Sequence, residues 1–212
     1  MKISLTNAGK RFNRDWIFRH LTYEFTAGNA YAITGPNGSG KSTLLQVIGG
    51  AVMASEGKVQ YEAAGSTSSE IPAENFYRHI SIAAPYLEVI EEMTVTEFLH
   101  FHAQFKPLIP GNNIEAIIEK TGLTSAAHKQ MRYYSSGMKQ RVKLAQAIFS
   151  NVPCVLLDEP CTNLDAEGIA LYHRLIEEYC ANRLVIVSSN DETEYGFCRE
   201  RLRITDFKQQ PA

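Results

Sequence analysis

The sequence predicts an α/β fold: a core of parallel strands and helices, an N-terminal antiparallel β portion, and a helical subdomain inserted at about residues 70–150. Three observations point there. Residues 154–157 and 183–188 are almost continuously apolar, as strands covered by helices on both faces must be, and a helical pattern follows each. A glycine-rich loop, Gly35 to Gly40, lies between a strand-like stretch at 31–34 and a helix-like stretch at 42–48. The first third reads as short strands, whereas the middle third repeats its apolar residues at helical spacing.

In chain order, residues 3–6, 21–25 and 31–34 read as strands, 42–48 as a helix and 58–62 as a further strand. The polar run 64–70 reads as a surface loop, and 80–84 as a strand. Thr94 precedes Glu97 by three residues, the spacing of a capping box, and Phe98, Phe101 and Phe105 continue at helical spacing as packing residues. Pro107, Pro110 and Gly111 end that helix; Ile114, Ile117 and Ile118 mark the next. Residues 138–150 form a third, with Val142, Ala145, Ile148 and Phe149 on one face. The last third alternates again: helices at 166–179 and 191–198, and a closing strand at 201–205. All 212 residues read as one domain.

Composition narrows the function. A net charge of −2 argues against a nucleic-acid binder, whose affinity rests on clustered Lys and Arg; the densest basic cluster is Lys139, Arg141 and Lys143. No apolar run approaches the roughly 18 residues of a membrane-spanning helix, so the chain reads as soluble. Cys154, Cys161, Cys180 and Cys198 fit no zinc spacing and read as reduced thiols of a cytosolic protein. His100 and His102 would point about 200° apart on a helix and are not expected to share a metal.

The chemistry begins at Gly35-Pro36-Asn37-Gly38-Ser39-Gly40-Lys41-Ser42-Thr43. Glycines let backbone amides turn inward around phosphate oxygens, at the anion-favouring start of a helix. Lys41 adds a charge at the β/γ-phosphates of ATP, and the Ser42 hydroxyl is a ligand for Mg²⁺. An apolar strand then ends in Asp158-Glu159. That puts Asp158 at the carboxyl edge of the sheet, suited to hold Mg²⁺, with Glu159 beside it as general base. The fold is therefore read as a P-loop NTPase core.

The segment Tyr134-Ser135-Ser136-Gly137-Met138-Lys139-Gln140-Arg141 resembles the signature of the ATP-binding cassette (ABC) ATPases, Leu-Ser-Gly-Gly-Gln followed by a basic helix. Ser135 and Gly137 match; Tyr134, Ser136 and Met138 depart from it. Motif order matches across the chain, and Leu164 and Asp165 fit the loop after the Asp-Glu pair. The resemblance implies a head-to-tail pair, made with a second copy or a homologous ATPase subunit. Two ATP molecules would lie between the P-loop of one subunit and Ser135, Ser136 and Gly137 of the other, with Asp165 nearby. Phe12 aligns with the family's adenine-stacking aromatic, and Trp16 is a second candidate. A separate transmembrane permease subunit would hold the chain at the cytoplasmic face of the membrane, where ATP hydrolysis energises transport. The alternative is a non-transport ABC ATPase acting as a clamp or switch, although such members usually carry two cassettes or long coiled-coil insertions.

Two family positions differ. Pro85 stands where a glutamine normally touches the metal and water, and proline offers no polar side chain; Glu88 is the nearest acidic group that could reach inward. Asn190 stands where a histidine normally contacts the γ-phosphate. It donates a hydrogen bond but cannot become a cation, so hydrolysis is expected to be retained but slow.

Overall fold

A computed structural model of the chain describes residues 1–63 and 70–208. Strands β1 (Lys2–Phe12) and β2 (Asp15–Thr26) form a hairpin. Both are longer than their sequence pattern suggests. Register shifts between Leu5 and Arg11 break the alternation, and Asn7 and His20 take left-handed backbone angles within the strands. These bulges erase the period of two on which a strand reading rests. β3 (Ala30–Thr34) leads through the glycine loop into α1 (Lys41–Ile48), and β4 (Glu56–Glu62) pairs antiparallel with β1. The polar run read as a loop at 64–70 lies, but for Glu70, outside the described residues.

A turn of 3-10 helix, Ala73–His79, precedes β5 (Ile80–Ala83). The helices of the middle third are α2 (Val95–Phe105), α3 (Ile114–Lys120) and α4 (Ser136–Ile148). β5 falls inside the 70–150 span but belongs to the core sheet, where it pairs with β6 (Cys154–Asp158). Then come α5 (Ala166–Cys180), β7 (Leu184–Ser188), the short α6 (Glu192–Tyr195) and β8 (Glu200–Arg203). The expected closing strand at 201–205 is overtaken at Ile204 by a 3-10 turn.

The parallel sheet has the order β5-β6-β7-β3-β8. Its central strands divide their side chains between two cores, as the period of two requires. Cys154, Leu156, Leu184 and Ile186 face the core shared with α1 and the N-terminal strands. Val155, Leu157, Val185 and Val187 face the core shared with α4 and α5. Covering both faces forces every residue of β6 and β7 to be buried, and all are.

The capping box at Thr94 forms. Its hydroxyl accepts from Glu97 N at 3.2 Å, and its N–H donates to the Glu97 carboxylate at 2.8 Å. The phenylalanine stripe of α2 is only partly packing. Val95, Phe98 and Leu99 are buried, but Phe101 and Phe105 are 44% and 70% exposed and meet edge to face at 5.1 Å. The buried stripe continues through His102 instead.

His102 Nε2 meets the Ser150 hydroxyl at 2.8 Å, and that hydroxyl donates to the Gln146 carbonyl. The ring nitrogen is therefore the donor. Burial, with help from nearby Lys106, lowers the His102 pKa to about 4, against 6.5 for a free histidine. Between those values the unfolded chain binds the extra proton and the folded chain does not, so stability is lost as pH falls through that window. We expect the thermal midpoint to drop between pH 7 and pH 5, and to drop less in His102→Gln. Equal drops in a pair of calorimetric scans would remove His102 as the cause.

Candidate active site

The site is built at the carboxyl edge of the parallel sheet. Beyond β3, the chain loops over the start of α1. Gly40 has φ 105°, and a Cβ there would lie 2.2 Å from Ile17 Cγ2, so glycine lets the loop pack onto the β1–β2 hairpin. Side chains do not cap α1, and its first turn holds no acidic residue. Its leading amides are left for an anion. Lys41 is only 4% exposed, and its ammonium donates to the carbonyls of Gly35 (2.9 Å) and Pro36 (3.2 Å). Asn37, Gly38, Lys41, Ser42, Thr43 and Glu159 line a cavity of about 240 Å³.

β6 brings in the acidic pair. Asp158 is 1% exposed, pairs in register with Ser188 of β7, and its Oδ1 has no hydrogen-bond partner among the described residues. Ser39 Oγ and Ser188 Oγ are likewise buried without partners. Such orphan groups normally cost about 1–3 kcal/mol each; Asp158 and Ser188 are neighbours across β6 and β7, and Ser39 lies in the glycine loop. A carboxylate oxygen and a serine hydroxyl are hard oxygen donors of the kind Mg²⁺ takes, so Asp158 and Ser42 fit that ion by their donor chemistry.

Glu159 adopts a left-handed conformation, φ 44°, and its N–H donates to the Ser188 carbonyl at 2.9 Å. A non-glycine residue there stores on the order of 1–3 kcal/mol, and such strain clusters at functional sites. Asn190 is exposed just past β7 at the same edge, where Ser189 N donates to the Ile33 carbonyl at 3.1 Å. Phe12 is 49% exposed at the hairpin, with Lys10 Nζ 4.9 Å from its ring. Trp16 is packed against the Arg19 and Arg11 guanidiniums at 4.4 and 5.5 Å. Of the two candidate adenine platforms, Phe12 is the more open ring.

A second cavity, of about 400 Å³, lies at the start of α4 and is lined by Ser135, Ser136, Gly137, Arg141, Asn163 and Asp165 among others. Ser135 caps α4 by accepting from Met138 N at 3.2 Å. A Cβ on Gly137 would lie 2.8 Å from the Asn163 carbonyl oxygen, so the helix start and the loop after Glu159 touch backbone to backbone. Asp165 caps α5 through Gly168 N at 2.8 Å and pairs with Arg141 at 3.5 Å. Its carboxylate is thus engaged in holding the second cavity's wall. Tyr134 is tolerated in place of the family's leucine because its hydroxyl reaches the Ala126 carbonyl at 2.7 Å. The two cavities share no lining residue.

Several site residues escaped the sequence reading. Gln140, buried on α4, donates to the Pro160 carbonyl at 2.7 Å. Glu194 on α6 is buried and accepts from Cys161 N at 2.7 Å, while Tyr172 donates to the Glu194 carbonyl at 2.8 Å. Burial raises the Glu194 carboxyl above its ordinary pKa, and hydrogen bonds from Ser189 and Cys161 oppose that. The only available signal was a polar residue on an otherwise inward face. Cys161 is buried too, and its thiol pKa is pushed up to about 12, which keeps it protonated. Glu88 does not turn into the site: it is exposed, and its charge acts on Lys143. Tyr86, the residue after Pro85, is exposed as well.

Residues 18–162 match the family model described as ABC transporter. The chain is similar to the cytochrome c biogenesis ATP-binding export protein CcmA of Agrobacterium fabrum, with 29% identity over 98% of this chain and 97% of that protein. The protein of the same name from Rhizobium meliloti is 30% identical over 98% of this chain and 99% of its own. Bacillus subtilis YybJ, an uncharacterized ABC transporter ATP-binding protein, is 28% identical over 92% and 89%. Among solved structures, a bacterial ABC transporter cassette determined as a dimer superimposes with a TM-score of 0.80 at 22% identity, over 95% of this chain and 94% of that one. An ABC transporter ATP-binding subunit gives 0.82 at 21% identity, over 96% and 86%.

The Glu194 contact can be checked directly. Glu194→Ala strands the buried Cys161 N–H and should cost about 1–3 kcal/mol, read as a lower midpoint in denaturant. Glu194→Gln keeps an acceptor and should lose less. Equal losses would mean that the carboxylate oxygen is not what holds Cys161.

Proposed function

The chain belongs to the ABC transporter family, and on that premise we propose that it is the ATP-hydrolysing subunit of an ABC transporter, working as a head-to-tail pair with a second copy or a homologous subunit. The ATP-binding and ATPase character follows from the family. The observation that carries the pairing is the pair of separate cavities. An ATP molecule that touches both a P-loop and a signature helix needs the signature of another subunit.

The roles of the chain's own groups follow from their positions. Phe12 stacks on adenine. The loop amides from Gly35 to Gly40 and the start of α1, with Pro36, Asn37, Ser39 and Thr43 shaping the wall, surround the phosphates. Lys41 supplies positive charge at the β/γ-phosphates. Ser42 and Asp158 would hold Mg²⁺, which would supply neutralisation of the developing phosphate charge. Glu159 orients the attacking water and takes its proton. Ser135, Ser136 and Gly137 offer a helix N-terminus to the γ-phosphate bound by the partner. Asn190 donates a neutral hydrogen bond at the γ-phosphate held by its own P-loop. Charge-assisted bonds are roughly twice as strong, so turnover is slow.

A membrane permease completes the assembly. Among the described residues, no helix is long and apolar enough to cross a membrane; the permease would supply the transport path and hold this chain at the cytoplasmic face. The exposed Phe101–Phe105 pair is the kind of apolar surface a partner covers. Full-length similarity to proteins named for export favours outward transport. The basic cluster is spent within the chain. Lys139 pairs with Glu91, Arg141 with Asp165, and Lys143 donates to the carbonyls of Ala84 and Pro85. This supports a protein partner over nucleic acid.

Glu159→Gln should keep ATP binding, lose at least about 100-fold in hydrolysis, and accumulate an ATP-dependent dimer in light scattering. A variant that stays monomeric at saturating ATP would sink the paired-site reading. Asn190→His should raise steady-state turnover several-fold; an unchanged or lower rate would show that the neutral amide is not what slows the enzyme.

A further inference from the structure

Glu159, the general base of the proposed reaction, is held in a conformation that its residue type disfavours. Its φ is 44°, and a non-glycine residue keeps such an angle only where its surroundings over-determine it. Three hydrogen bonds supply the constraint, one at each of three successive residues. Glu159 N donates to the Ser188 carbonyl at 2.9 Å, continuing the pairing of β6 with β7. The Pro160 carbonyl accepts from Gln140 Nε2 at 2.7 Å, and Cys161 N donates to Glu194 Oε1 at 2.7 Å. The last two bonds are made by side chains, and both side chains are buried.

The two clamps come from different elements, and each is anchored before it reaches the loop. Gln140 stands on α4 three residues after Gly137, hence on the same helix face. That face lies along the loop: Gly137 is against the Asn163 carbonyl and Gln140 against Pro160. Glu194 stands on α6, just past Asn190. Asp191 caps that helix through Thr193 N at 2.9 Å, and Glu194 N donates to the Asp191 carbonyl at 3.0 Å. Tyr172 of α5 donates to the Glu194 carbonyl at 2.8 Å. Glu159 lines the P-loop cavity, whereas Gln140 and Glu194 do not. They can act on the reaction only through the loop they hold.

We propose that Gln140 and Glu194 are positioning residues for hydrolysis: by holding the backbone of Pro160 and Cys161 they keep Glu159 left-handed, with its carboxylate at the wall of the P-loop cavity. The proposal rests on the ATPase reading above, in which Glu159 is the base. It gives the signature helix a task within its own subunit, besides the phosphate of the partner. Without the Gln140 donor, the backbone beside Glu159 is free to relax toward the right-handed and extended regions that glutamate prefers, and the carboxylate leaves its place. A base must come within hydrogen-bond reach of the proton it takes, and a misplacement of about 1 Å costs on the order of 100-fold in rate.

The test asks whether the clamps act through the base. Gln140→Met keeps the volume of the side chain and removes the donor. It should lower kcat about 10- to 100-fold and leave ATP affinity unchanged. Glu194→Gln retains an acceptor and should keep most of the turnover that Glu194→Ala loses. The deciding comparison repeats Gln140→Met in the Glu159→Gln protein, with single-turnover hydrolysis followed by release of labelled phosphate. No base is left to position there, so the residual rate should change by less than about twofold. An equal fold-loss in both backgrounds overturns the proposal, because the bonds then support the fold at large. Turnover at the parent rate in Gln140→Met overturns it too. Should Gln140→Met not fold, Gln140→Asn, one methylene shorter, carries the same comparison. If Glu159→Gln hydrolyses ATP as fast as the parent, the base reading falls first, and this proposal falls with it.

Discussion

Asp158 buries a carboxylate oxygen at the carboxyl edge of a parallel sheet without a hydrogen bond to receive it. The structure around it is organised to make that arrangement tolerable. β6 is apolar along its length and clamped between β5 and β7, so the strand cannot turn the side chain outward. Ser188 faces it across the register with its own hydroxyl unpartnered, and Ser39 adds a third such group from the glycine loop. A fold does not hold adjacent unsatisfied polar atoms such as those of Asp158 and Ser188 for stability, because each lowers it by an amount comparable to a lost hydrogen bond. Their shared location makes sense if a ligand with positive charge and phosphate oxygens satisfies them together. Glu159 adds strain to the same corner, being held in a left-handed conformation by its bond to Ser188. Stability is given up where binding returns it.

Much of this was legible in the sequence because the responsible signals are local. The glycine loop sits between a strand and a helix, and its conformational demands are written in residue type. The apolar strands ending in Asp158-Glu159 and in Ser189-Asn190 announce a parallel sheet and its functional edge. The site residues that were missed share one cause: they depend on groups far apart in the chain. Nothing local in Glu194 says that its carboxylate will meet the amide of Cys161, thirty-three residues earlier. Gln140 could equally have been a surface residue of a basic helix until Pro160 supplied its acceptor. The N-terminal strands were read too short because their bulges interrupt the alternation by which a strand is recognised. On α2, the spacing of three phenylalanines was helical, but spacing alone cannot say which face the core will take. His102 with Ser150 marks the face that does.

The loop from Glu159 to Leu164 joins the two cavities, and its attachments suggest how they communicate. At one end Glu159 lines the P-loop cavity; at the other, Asn163 and Leu164 line the signature cavity. Between them the fixed points are held by two elements, α4 and α6. The carbonyl of Pro160 is held by Gln140 of the signature helix, and the amide of Cys161 by Glu194 of the helix that follows Asn190. The carbonyl of Asn163 lies against Gly137, with no room for a side chain between them. A segment so short, pinned at successive residues, has little slack. In the proposed pair, a shift of Glu159 or Asn190 on loss of a γ-phosphate would therefore be felt at Gly137, which would face the nucleotide of the other subunit. Exchanging the usual histidine for Asn190 weakens the charged contact at one end of this linkage but leaves its backbone intact. Such a subunit would turn over slowly while still reporting the state of its own nucleotide to its partner, because the reporting runs through hydrogen bonds to backbone atoms that the substitution does not touch.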